Sequence, residues 1–303
     1  GLNESVDDAY VDAIYDGMLA VAGRFGVEIV GGDTVRSPRE IVIDVAIMGQ
    51  ADSPVTRAGA RPGDLIAVTG YLGASAAGLG WLLRCQEEVK HRREVSRKEA
   101  GRTGAGGKAA GSYPPWSGGT AGSHPSWAGG GAAGFHPSWA GGAAVSSYPS
   151  WAEELIRAHL EPLPRVLEGA ALARSGAVTA MMDISDGLAN EVNHIAEESG
   201  VGAVVYAADV PISEATAAAA RALRRDPLDW ALFGGEDYEL VFTFPRDRTE
   251  AASRALASVG GRLYVVGEIV PSEKGVRLAM ASGETRVLSR AGYDHFAAPT
   301  PCP

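Results

Sequence analysis

From Ala177 to Met182 the chain is short, apolar and partly β-branched, as a buried strand would be; it then turns through Asp183-Ile184-Ser185-Asp186-Gly187. Helical spacing takes over at once, at Leu188, Val192, Ile195 and Ala196. Few architectures accept a buried strand that bends through two carboxylates and a hydroxyl straight into a helix. Ser185 and Asp186 fall where a helix wants its N-cap, and a helix start presents unpaired N–H groups and a partial positive charge to an anion. Asp183 and Asp186 would repel each other there unless a cation joined them. A hard cation such as Mg²⁺ takes oxygen ligands, keeps several waters and bridges one or two carboxylates to phosphates. Two readings are therefore open: a site for metal-bound phosphate, or an Asp N-cap beside an Asx-turn with no ligand.

Two further corners share this chemistry. A helix is expected over Val6–Phe25, from the apolar face of Val6, Tyr10, Ala13, Ile14 and Met18. A short strand at Val27–Val30 then meets Gly31-Gly32-Asp33-Thr34, and a second strand at Ile41–Met48 could pair back onto the first. Glycines let the backbone bend sharply and approach a ligand, and Asp33 and Thr34 add a carboxylate and a hydroxyl. The third corner is Gly234-Gly235-Glu236-Asp237-Tyr238-Glu239, running into a strand at Leu240–Phe244. Three acids in four positions are costly to place together without a cation or a basic substrate. Between them, Thr56–Asp64 is a turn-rich loop whose Arg57 and Arg61 could clamp phosphate or be solvated. Alternation of strand and helix from Ile66 to Val270 points to an α/β domain.

Residues 86–151 break the pattern. A dense charge run over Glu87–Arg102 is followed by Tyr113-Pro114-Pro115-Trp116 and three Pro-Ser-Trp units ending at Trp127, Trp139 and Trp151, with Gly and Ala between. So few aliphatics cannot repay the entropy of ordering, and a disordered surface insertion is expected. A net charge of −10 argues against non-specific nucleic-acid binding. No apolar run approaches the roughly 20 residues that span a bilayer, so no membrane partner is expected. Cys85 and Cys302 are the only cysteines, which fits a reducing cytoplasm better than a disulfide framework.

Taken in order, Gly-Gly-Asp-Thr (31–34), Arg-x-Gly-Ala-x-Pro-Gly-Asp (57–64), Asp-Ile-Ser-Asp-Gly-Leu (183–188), Gly-Gly-Glu-Asp-Tyr-Glu-Leu (234–240) and Gly-Tyr-Asp-His-Phe (292–296) resemble the thiamine-monophosphate kinase family. The resemblance implies an α/β (α+β) two-domain fold like that of aminoimidazole ribonucleotide synthetase. Residues 1–50 would be part of an N-terminal ATP-binding and dimerisation domain, and 51–85 with 152–298 a C-terminal domain. It implies ATP- and Mg²⁺-dependent phosphorylation of thiamine monophosphate, with a homodimer when full length. Gly32, Asp33, Arg57 and Ser185 would contact ATP, Asp33, Asp183 and Asp186 would ligate Mg²⁺, and Glu236 and Tyr293 would touch the thiamine substrate. No covalent nucleophile is expected, because phosphoryl transfer rests on positioning and charge neutralisation. Family members carry a further Asp-Asp metal motif ahead of the position of Gly1, so this sequence is expected to be N-terminally incomplete. Another ATP-using member of the superfamily, or a non-catalytic nucleotide-binding fragment, is the alternative.

Overall fold

A computed structural model describes residues 1–51, 54–102 and 149–290. They fall into two compact units, Gly1–Ala51 and the remainder. The first unit holds helix α1 (Asp8–Arg24), whose Asp7 side chain caps it by accepting from the Tyr10 N–H at 2.9 Å. The strands expected at Val27–Val30 and Ile41–Met48 are not formed. The pairing present in this unit is a single bridge between Leu2 and Arg36. Alternating aliphatics make a strand only when a partner ladder and a covered face exist, and Val30, Ile47 and Met48 are instead 86%, 76% and 90% exposed.

The second unit is built on a seven-stranded sheet in the order β2-β4-β1-β5-β3-β6-β7. Its strands are β1 (Leu65–Val68), β2 (Ala180–Asp183), β3 (Gly202–Tyr206), β4 (Leu240–Phe244), β5 (Tyr264–Val270), β6 (Val276–Ala279) and β7 (Thr285–Val287). Every neighbouring pair is antiparallel except β3 and β6. Helix and strand alternate as the sequence suggests, but the sheet is mixed, the α+β form of the expectation. The last two strands and helix α7 (Pro227–Phe233) have too short a pattern to be read beforehand.

Burial on both faces explains the unbroken apolar run of β1. Ile66 and Val68 point into one core with Leu188, Val192 and Ile195 of helix α5 (Leu188–Ser199) and Leu232 of α7. Leu65 and Ala67 point into the other, with Phe242 and Phe244, Leu172 of α4 (Val166–Ser175) and Leu256 of α8 (Thr249–Ala257). A third, smaller cluster joins α2 (Ala74–Arg102), α3 (Ser150–Leu160) and α6 (Glu214–Leu223) through Ala77, Leu155 and Ala219.

Helix α2 corrects the expected start of the insertion. It continues through the charge run of 86–102, where glutamate, lysine and arginine are good helix formers and Arg84 pairs with Glu88 one turn on. Of the four tryptophan units only the last falls among the described residues; Trp151 packs edge-on against Trp81, ring centroids 4.9 Å apart.

Candidate functional site

Strand β2 ends at Asp183 and is paired to β4 in register, with Asp183 opposite Leu240. The pairing runs on past both strands. The Ile184 N–H donates to Glu239 O (2.7 Å), Tyr238 N–H to Ile184 O (2.9 Å) and Glu236 N–H to Ser185 O (2.7 Å). The Asp-Ile-Ser-Asp-Gly corner and the Gly-Gly-Glu-Asp-Tyr-Glu corner, 50 residues apart in the chain, therefore form one platform.

Glycine is required where these backbones meet. Gly187 has φ +99°, and a Cβ on it would lie 2.6 Å from Leu232 O. A Cβ on Gly235 would lie 2.6 Å from Ser185 O. The glycines of this platform thus serve close approach of the protein's own strands. Two L-residues here also adopt the left-handed region, Glu236 (φ +67°) and Tyr238 (φ +51°). Such backbone is found mostly where the surroundings over-determine it, often at functional sites.

The N-cap expected of Ser185 or Asp186 is absent. Helix α5 starts behind Gly187 with no side-chain cap. Its own Glu191, buried in the first turn, reaches back instead to the Asp186 N–H (3.1 Å) and the Ser185 hydroxyl (3.4 Å). Relieved of capping, the carboxylates of Asp183 and Asp186 take no hydrogen bond or ion pair from any described residue.

Their charge is felt around them. Burial raises the Glu191 carboxyl above its usual range; the Asp186 N–H and His194 oppose this, and Asp186 and Asp183 add to it. Burial likewise raises the Tyr238 phenol, helped by Glu236, Asp183 and Asp186. Among the described residues no three His, Cys, Asp or Glu side chains gather into a closed metal cage. Two unpaired neighbouring carboxylates without a cage suit Mg²⁺, which keeps its waters and shares its shell with phosphate oxygens.

The acid run Glu236-Asp237-x-Glu239 proves less costly than its composition suggests, since two of its three members are satisfied within the chain. Glu239, buried, takes both nitrogens of the Arg165 fork (2.8 and 2.5 Å) and the Thr69 hydroxyl (2.6 Å). Asp237 sits at the start of α2, accepting from the N–H groups of Gly73 (2.7 Å) and Ser75 (3.3 Å). Burial still pushes it up to about 7. Glu236 is more than half exposed, with His159 Nδ1 3.3 Å from its Oε2.

Arg57 is exposed and lines a cleft of about 510 Å³ together with Thr56, Met181, Asp183 and Glu198. Its loop is clamped twice: Met181 N–H donates to Thr56 O (2.9 Å), and the Ser199 hydroxyl accepts from Gly59 and Ala60 (3.1 and 3.2 Å). Arg57, Asp183, Ser185, Asp186 and Glu236 thus belong to the second unit. Gly32 and Asp33 lie in the first, where Asp33 is exposed. Tyr293 falls outside the described residues. Glu191, Arg165, Thr69 and His159 are structural members of the site that sequence reasoning missed. A glutamate in the first turn after the corner was the one signal available, through the reach-back habit of capping boxes.

These features place the chain in a recognisable class. Residues 1–51 match the family model AIR synthase related protein, N-terminal domain, and residues 120–279 match AIR synthase related protein, C-terminal domain. Among curated proteins it is 30% identical over 298 residues to the thiamine-monophosphate kinase of Salmonella typhimurium, covering 97% of this chain and 71% of that one. It is 36% identical over 242 residues to that of Mycobacterium tuberculosis, covering 78% and 52%. The solved structure of thiamine-monophosphate kinase from Stenotrophomonas maltophilia superposes with TM-score 0.59 at 27% identity, over 92% of this chain and 69% of that one. The fold is also that of AaThiL complexed with AMPPCP and TMP (TM-score 0.65, 24% identity, 98% and 71% covered). The chain belongs to the thiamine-monophosphate kinase family, and the family is one of kinases.

Proposed function

We propose that the chain serves the ATP- and Mg²⁺-dependent phosphorylation of thiamine monophosphate to thiamine diphosphate by in-line transfer. A terminal phosphate oxygen of thiamine monophosphate forms the new P–O bond to the γ-phosphorus as the bond to the β-bridging oxygen breaks, and ADP leaves. The observation that carries this reading is the hydrogen-bonded platform of the two acidic corners, with Asp183, Asp186 and Glu236 all acting on the Tyr238 phenol. The Arg57 guanidinium, in the same cleft as Asp183, is suited to clamp a phosphate as a fork of donors. Ser185, two residues on from Asp183, offers a hydroxyl to the nucleotide, and in the first unit the Gly32 backbone and the Asp33 carboxylate are the candidate contacts.

Asp183 and Asp186 would hold Mg²⁺ within the second unit, and Asp33 is the candidate ligand of the first; the ion would supply neutralisation of the phosphate charges that otherwise repel. Glu236, exposed, is suited to attract the thiazolium of the substrate, and the family resemblance assigns Tyr293, outside the described residues, to the same substrate. A homodimer and a cytoplasmic location complete the reading. The first is supported by the family resemblance and the second by a chain with only two cysteines.

The test is formation of thiamine diphosphate from ATP and thiamine monophosphate with and without Mg²⁺. Asp183→Ala and Asp186→Ala are expected to lower turnover by about 100-fold or more, the scale of removing a preorganised electrostatic contact. Near-wild-type turnover in either variant removes that residue from the metal site.

A further inference from the structure

We propose that His159, on the last turn of α3, is a positioning residue for Glu236 and thereby sets affinity for the cationic part of the substrate through a single ring nitrogen, Nδ1. This rests on the reading of Glu236 as a substrate contact. Glu236 has a fixed backbone, left-handed and tied by its N–H to Ser185 O at 2.7 Å. Its side chain is another matter. It is 55% exposed and has three rotatable bonds, so a carboxylate meant to meet a cation at one place needs something to hold it.

Among the described residues the contact is His159, whose Nδ1 lies 3.3 Å from Glu236 Oε2. The imidazole is 16% exposed, on a helix anchored to α2 through the cluster of Ala77 and Leu155. The same Nδ1 is 3.0 Å from the hydroxyl of Ser75, a residue buried in the α2 start whose N–H is engaged by Asp237.

The contact is at ion-pair distance, and its sense follows from the carboxylate. A carboxylate has lone pairs alone to offer, so an Nδ1 beside it carries the proton and donates. The Ser75 oxygen accepts the other branch of a shared bond. With Nδ1–H directed at it, the Glu236 carboxylate is aimed for a cationic ligand. Asp237, bound to the same helix start, and Glu236, bound to His159, thus register the substrate rim against α2 and α3.

The geometry gives a nitrogen-specific test, since the amide nitrogen of asparagine can stand where Nδ1 stands and that of glutamine reaches the position of Nε2. Steady-state kinetics of the enzyme, with thiamine monophosphate and ATP varied separately, would compare His159→Ala, His159→Asn, His159→Gln and Glu236→Gln, with thermal melts confirming that each folds. His159→Ala is expected to raise KM for thiamine monophosphate about tenfold, the scale of one hydrogen bond to a charged group, with kcat and KM for ATP within about twofold. His159→Asn should recover most of that loss and His159→Gln should not. His159→Ala added to Glu236→Gln should cost little beyond Glu236→Gln alone.

Equal behaviour of the Asn and Gln variants, a parallel rise in KM for ATP, or an unchanged KM in His159→Ala while Glu236→Gln raises it, overturns the role of His159 and leaves the functional reading standing. An unchanged KM in Glu236→Gln strikes the reading itself.

Discussion

Replacing Arg165 with methionine removes the guanidinium and keeps most of the side-chain volume. The carboxylate it leaves, Glu239, is 5% exposed and would retain the Thr69 hydroxyl as its partner. Removing one member of a buried ion pair costs about 3–5 kcal/mol, because the other charge stays desolvated. Arg165 itself is 32% exposed, so solvent screens part of that interaction and about 2–3 kcal/mol is the fitting expectation. For a unit of this size the loss corresponds to a fall in Tm of about 5–10 °C. Circular dichroism during thermal and urea unfolding measures it.

Arg165→Lys, which cannot reproduce the two-pronged contact, should fall between. Arg165→Met combined with Glu239→Gln should recover part of the loss by removing the stranded charge. Because Glu239 O also receives the Ile184 N–H, the single variant should weaken Mg²⁺-dependent turnover as well. A Tm within about 1 °C of wild type in Arg165→Met, well below the shift argued above, would show that the pair is not what keeps Glu239 buried.

Gly187→Ala should destabilise by about 1–3 kcal/mol, read as a lower urea midpoint, since φ +99° and a Cβ 2.6 Å from Leu232 O leave it no room; an unchanged midpoint would mean that the corner relaxes freely. Asp237 in the folded chain holds its proton to about pH 7, whereas an unfolded aspartate releases it near about 4. Between those values the folded state binds more protons, so stability should fall as pH rises from about 4 to about 7 and then level, with Asp237→Asn flattening the slope. Denaturant midpoints across that window check the sign. Ser199→Ala, which frees the Arg57 loop at Gly59 and Ala60, should raise KM for ATP by about three- to tenfold and leave that for thiamine monophosphate unchanged.

Elements with long apolar periods were legible from the residues alone. Strands β2 and β4 and helices α1 and α5 fall within a few positions of where periodicity puts them, because their pattern is written locally. Sheet order was not legible, since β2 sits beside β4 through contacts 60 residues apart that no local pattern encodes. Val27–Val30 and Ile41–Met48 show the converse: the local pattern is that of strands, but pairing depends on partners that the pattern does not supply.

The site divides along the same line. Asp183, Asp186 and Glu236 stand out in sequence because acids at the end of an apolar run are improbable without a purpose. What makes them usable is invisible there, for it is carried by ordinary residues that absorb every competing claim. Glu191 accepts from the Asp186 N–H and the Ser185 hydroxyl while the Asp186 carboxylate stays out of capping; Arg165 and the start of α2 engage Glu239 and Asp237, leaving Glu236 as the most exposed acid of its run. Five acids on two hydrogen-bonded corners would on charge alone repel or protonate. By satisfying some of them internally the fold leaves a small outward-facing set, Asp183, Asp186 and Glu236. On the reading proposed above, a divalent ion and one cationic ring would share those three without a dedicated protein cage.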